Sequence, residues 1–326
     1  MKKIIQILKN NPAYLAMKNG KGNIVVSQAS DEAILIASTF QVNPKPMLII
    51  KDNQYQAQLL YQELCPLLNN KVLYFPSDES LRIEALAYSK ELMGERVNTL
   101  ASLCEGTPYV VICHTHSLSR YVPSVELFQS HMLHLKVGMT IEPVLLREKL
   151  IQNGYQNIQR VDEPFFYSKR GGVIDVYSIQ YDNPVRIEFF DDEIESIRFY
   201  DKNNQRSLEK VQEVTILPAT DMLYDENEIN HVIDEIDHLH EQMPVDEYRD
   251  QLDEEISIDK ESLRAFDYSS RLYQYLSLFS SSTLLIEYMN NPLIVTSSYH
   301  KVKQSMERYI EETFFYVHEL QGIGKM

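Results

Sequence analysis

The chain has 326 residues, which at about 150 residues per domain argues for two or three domains. Hydrophobic residues make up 44% and charged residues 24%, which excludes a mostly disordered chain. Acidic residues number 47 against 31 basic, a formal charge of −16 that repels a phosphate backbone and excludes a general nucleic-acid coat.

Apolar runs such as Tyr109-Val-Val-Ile-Cys113 fall far below the ~20 residues that span a bilayer. Met1-Lys-Lys-Ile-Ile lacks the pattern of a secretory signal, and Cys65, Cys104 and Cys113 show no pairing pattern. A reduced, cytoplasmic protein is expected.

In chain order, residues 1–20 read as a short helix. Asn23-Ile-Val-Val-Ser27 reads as a buried strand, and Asp31 to Phe40 as a helix capped by Ser30 or Asp31. Met47-Leu-Ile-Ile50 is a second strand, Gln54 to Leu67 a helix, Lys71 to Phe75 a third strand, Leu92 to Leu103 a helix and Tyr109 to Cys113 a fourth strand. Strands alternating with helices predict an open, largely parallel α/β sheet over residues 1–128.

The pattern then changes. A helix near Glu142 to Asn153 precedes strands Gly172–Ile179, Val185–Phe190, Ile194–Tyr200 and Val211–Leu217, separated by gaps too short for helices. These predict an antiparallel meander, so residues 129–219 form a small α+β domain. In residues 220–326, Asp221 to Glu261 hold sixteen acidic residues against Arg249 and Lys260, nearly all of the net charge. That stretch reads as a solvated helical face or a linker, with a regulatory contact to a basic partner as the sharper alternative. The apolar run Thr283-Leu-Leu-Ile-Glu287 is expected to complete the first sheet, making the meander an insertion.

Chemistry is sparse. A phosphate loop needs glycines and a lysine after the first strand, but Ser27-Gln-Ala-Ser-Asp-Glu-Ala33 has neither and places two carboxylates at the helix start. Gly322-Ile-Gly-Lys325 has no helix after it. Cys113-His114-Thr-His116 offers three possible metal ligands without the second pair of a zinc site. No cofactor and no catalytic residue are expected.

One surface looks built for contact. Period-two alternation sends Val185, Ile187 and Phe189 to one face and Arg186, Glu188 and Phe190 to the other. Phe beside Arg is a common anchor composition at protein interfaces. Lys169-Arg170-Gly-Gly172 could add cationic character to the same edge. Phe190 either anchors a partner or tucks under the helix of this domain.

Ser168-Lys-Arg-Gly-Gly-Val-Ile-Asp-Val-Tyr177, Pro184-Val-Arg-Ile-Glu-Phe-Phe-Asp-Asp-Glu-Ile-Glu-Ser-Ile-Arg198 and Ile216-Leu-Pro-Ala219 resemble the second domain of the bacterial transcription-repair coupling factor family, Mfd. Gln54-Tyr-Gln-Ala-Gln58, Tyr74-Phe-Pro76 and Glu95-Arg96 fit the same resemblance. It implies a P-loop-like, degenerate helicase domain related to the excision-repair helicase UvrB, with the small α+β domain inserted and the last segment completing the first sheet. The absent phosphate loop and the short stretch from Pro76 to Gly94 in place of a long DNA-gripping hairpin separate the chain from UvrB itself. UvrB-like helicase and stand-alone scaffold remain the alternatives.

The resemblance implies a non-catalytic adaptor that binds UvrA and recruits excision repair to stalled RNA polymerase. It maps UvrA contacts onto Arg170, Arg186 and Phe190, and Glu188 on the same face is counted with them. In the family's full-length proteins, further domains bind RNA polymerase and translocate on double-stranded DNA at the expense of ATP. Replacing Arg186 or Phe190 by Ala is expected to remove UvrA capture and leave the fold intact.

Overall fold

The computed structural model describes residues 2–20, 22–26, 28–77, 89–243 and 248–322. Ser27 of the expected 27–33 loop, residues 78–88 of the Pro76–Gly94 stretch, residues 244–247 of the acidic segment, and Gly324 and Lys325 lie outside the described residues. Two compact units divide the chain: residues 1–85, 102–120 and 284–321, and residues 86–101, 121–283 and 322–326. Among the described residues no helix is long and apolar enough to cross a membrane.

The first unit is built on a four-stranded, all-parallel sheet in the spatial order Leu293–Thr296, Met47–Lys51, Val110–His114, Val72–Phe75. Met47–Lys51 and Val110–His114 are buried along their whole length, as strands covered on both faces must be. Helices Ala29–Val42 and Gln54–Leu68 supply Ile36, Phe40, Leu60 and Leu64 to the core around Met47, Ile49, Val110 and Ile112. Asn53 caps the second of these helices by accepting from the Gln56 N–H at 2.9 Å.

Three expectations are corrected here. Residues 23–26 form no strand, although their β-branched composition suits one. The helix after them begins at Ala29 behind Gln28, without a side-chain cap from Ser30 or Asp31. The fourth strand of the parallel sheet is Leu293–Thr296, whose register runs Met47 to Leu293 through Ile50 to Thr296. Within the run 283–287, Ser282–Leu284 instead joins a two-stranded ladder with Tyr121–Pro123, and Leu285–Tyr288 turns into a 3-10 helix.

The second unit holds a six-stranded sheet ordered Ser207–Val211, Glu193–Tyr200, Val185–Phe190, Val173–Val176, Phe166–Arg170, Gln156–Asn157. All neighbours are antiparallel except the last pair. The expected strand Val211–Leu217 is two elements: Val211 ends the edge strand, and Glu213–Ile216 pairs with Leu133–Lys136 in a separate ladder. The acidic segment folds as helices Ile229–Glu241 and Arg249–Ala265, whose apolar stripes form a core with Leu272, Leu276 and Phe279. Asp259 is buried and accepts from Arg271 at 2.9 Å and from the Tyr275 hydroxyl at 2.9 Å, so the segment is more than a solvated face.

Candidate protein-docking face

The six-stranded sheet has one buried and one polar face. Ile174, Val176, Val185, Ile187 and Ile197 lie in the core, so alternation leaves Asp175, Arg186, Glu188 and Arg198 on the other side. Register aligns Ser168, Asp175, Arg186, Arg198 and Lys210 in one row across five strands. The next row is Arg170, Val173, Glu188 and Ser196. Phe190 lies one row further out, opposite Glu193.

Two tight turns bring the expected residues to the same end of the sheet. Gly171, at φ +59°, turns the chain between Arg170 and Val173, and Asp191, at φ +51°, turns it between Phe190 and Glu193. Gly172 is needed for space: a Cβ there would lie 3.1 Å from the Phe189 carbonyl oxygen, and the Gly172 carbonyl accepts from the Phe189 N–H at 2.8 Å. Phe190 is 71% exposed, so it does not tuck under a helix. Lys169 pairs with Ile174 and therefore lies on the opposite face from Arg170.

The cations differ in freedom. Arg170 keeps 60% of its side chain in solvent and donates to Asp175 at 3.2 Å. Arg186 keeps 19% and is forked onto Asp175, from Nε at 2.7 Å and Nη2 at 2.8 Å, with its guanidinium 4.6 Å from the Tyr200 ring centre. Those bonds to the carboxylate raise its pKa further. Glu188, counted with the partner-binding residues, is engaged within the sheet: Arg198 grips it with both terminal nitrogens, and Ser196 Oγ donates to it at 2.6 Å. The Arg198 bonds hold its pKa down at about 2. Sequence reading missed Asp175, Arg198 and Tyr200. Strand pairing is the signal that finds the first two, since Asp175 faces Arg186 and Arg198 faces Arg186 from the other side.

In the first unit, the sequence-highlighted Cys113, His114 and His116 are each engaged differently. Cys113 is buried and its thiol is pushed up to about 12 by desolvation. His114 Nδ1 lies 3.0 Å from Ser117 Oγ, while His116 stacks on Tyr309 with ring centres 4.2 Å apart. Among the described residues no group of three or more His, Cys, Asp or Glu is arranged to hold a metal ion. At the start of helix Ala29–Val42, Glu32 is paired with Lys51 at 2.7 Å.

Residues 133–222, which contain this whole face, match the UvrB interaction domain family. The chain is 31% identical over 86% of its length to the transcription-repair-coupling factor of Bacillus subtilis. The chain is homologous to the UvrB-homology module of the transcription-repair coupling factors. It is also 28% identical over 94% of its length to the corresponding protein of Staphylococcus aureus, and 29% over 90% to that of Staphylococcus epidermidis. It spans about a quarter of the length of these relatives: 25%, 27% and 26%.

Proposed function

We propose that this chain is a non-catalytic adaptor module of transcription-coupled excision repair, and that it binds UvrA through the polar face of its six-stranded sheet. Phe190 carries the reading: a large ring held in solvent by a two-residue turn, at the same end of the sheet as the exposed cation Arg170. Exposing such a ring brings no benefit to the isolated fold, whereas a partner's apolar recess gives it a place to bury. Arg170, Arg186 and Phe190 are the contact residues; Glu188 takes part by ordering Arg198. The match of residues 133–222 to the UvrB interaction domain supports the choice of partner. Contacts with RNA polymerase and double-stranded DNA belong, on this reading, to parts of the relatives that this chain does not match.

The first unit is, in this proposal, a degenerate helicase half-core that binds no nucleotide. Asp31 and Glu32 sit in the first turn of the helix where an anion would need open N–H donors. The test is a thermal melt with and without Mg-ATP: no rise is expected, because only a ligand of the native state raises the midpoint. A concentration-dependent rise would overturn it. The docking claim is tested by titrating UvrA against the wild type and Phe190→Ala, with melting temperatures measured alongside.

A further inference from the structure

A guanidinium that must be frozen when a partner arrives lowers affinity through lost side-chain entropy, so an effective docking face holds its cations ready beforehand. We infer that Asp175 is a positioning residue of this face, a buried carboxylate that orders the Arg170 and Arg186 guanidinium groups before a partner binds. The inference rests on the docking reading above.

Asp175 has 2% of its side chain exposed, yet it lies on the polar face of the sheet. Its strand neighbours Ile174 and Val176 are fixed in the core, which leaves the carboxylate little freedom. It stands directly opposite Arg186 in register and diagonal to Arg170, the two geometries in which cross-strand side chains meet. Arg186 is held on two sides, by the Asp175 fork and by the Tyr200 ring, and that ring is itself tethered through its hydroxyl to the Val161 carbonyl at 3.1 Å. The fork uses two of the five guanidinium donors, leaving others for a partner. Arg170 spends one donor on Asp175 and keeps the rest in solvent. One carboxylate against two guanidinium groups leaves the spot cationic. The partner surface that fits carries an acidic side chain next to an apolar recess for Phe190.

The test has two arms. In the free protein, 15N relaxation of the arginine Nε–H groups reads side-chain order directly. Asp175→Asn keeps the shape and removes the charge, so the order of Arg170 and Arg186 is expected to fall while backbone amides elsewhere keep theirs. In the second arm UvrA is titrated against Asp175→Asn, Arg170→Ala and the double variant. Each single change is expected to weaken binding about tenfold, and the double far less than the product, because the residues act through one contact. Unchanged arginine order with wild-type affinity overturns the inference, even where Asp175→Asn lowers the melting temperature. If Asp175→Asn does not fold, Arg186→Lys serves instead. It keeps the charge but cannot fork, so weakened binding is expected and wild-type affinity overturns the inference. Wild-type affinity of Phe190→Ala, a residue Asp175 does not touch, overturns the docking reading itself.

Discussion

Phe190 and Arg186 share a face and a strand, but substitution affects them differently. Phe190 is largely in water, so Phe190→Ala removes contact area without opening a cavity. It is expected to weaken UvrA binding by about 2 kcal/mol, roughly 30-fold, with an unchanged melting temperature. Arg186 neutralises the buried Asp175, so Arg186→Ala strands a carboxylate that keeps only the exposed Arg170. That costs on the order of 3 kcal/mol, read as a lower urea midpoint. The exposure of the ring fits the expectation that Phe190→Ala spares the fold, whereas the Asp175 pairing replaces that expectation for Arg186→Ala with a predicted loss of stability. Alternation in Val185–Phe190 made the face legible, since one side is packed and the period is two. Asp175 was not legible because its partner lies eleven residues away in sequence and only the register puts them opposite. His114 yields a separate prediction. Burial, helped by His116, lowers its pKa to about 4 from 6.5, so the unfolded chain takes up a proton that the native state refuses. Stability unaffected above pH 6.5 is expected to fall as pH drops from 6.5 towards 4, by on the order of 3 kcal/mol at most. His114→Gln should remove that slope from a pH series of urea melts.

Pairing decided which apolar runs became strands. Residues 23–26 and 283–287 have the composition of buried strands, but Leu293–Thr296 is the run that meets Met47–Ile50 in parallel register. Composition measures fitness for a half-buried surface, not the presence of a neighbour, which is why the wrong run was favoured. Helices announced themselves better. In Arg249–Ala265 the stripe Leu252, Ile256, Asp259, Leu263 follows helical spacing, and the carboxylate within it was a sign of a buried partner that net charge concealed. A second buried pair shows how such contacts constrain elements. Arg96, on helix Lys90–Cys104, donates from Nε to Asp221 at 2.7 Å, and both side chains are fully buried. Asp221→Ala is expected to cost roughly 3 kcal/mol in a denaturant melt, because it removes a buried carboxylate that accepts from the Arg96 guanidinium. Replacing both partners together by apolar residues should cost much less. Equal losses would show that the charge pair is not what holds Arg96 there.

At the scale of the molecule, an all-parallel sheet and a mainly antiparallel sheet occupy separate units, and the chemistry is distributed accordingly. The parallel unit is an α/β core whose helix Ala29–Val42 starts with carboxylates, one of them paired to Lys51. The second unit carries the exposed ring and the two arginines paired to Asp175, and it contains the match to the UvrB interaction domain. The change from alternating strands and helices to closely spaced strands was visible in the sequence because loop lengths and turn residues report it. The course of the last 40 residues was less visible, because parallel pairing between residues 47–50 and 293–296 leaves no local trace. The most direct measurement is a calorimetric titration of UvrA into the wild-type chain and into Phe190→Ala, with both melts recorded. Saturable binding by the wild type, weakened at least about tenfold in the variant at equal melting temperature, is the expected result. Equal affinity of the two proteins would contradict a docking face centred on that ring.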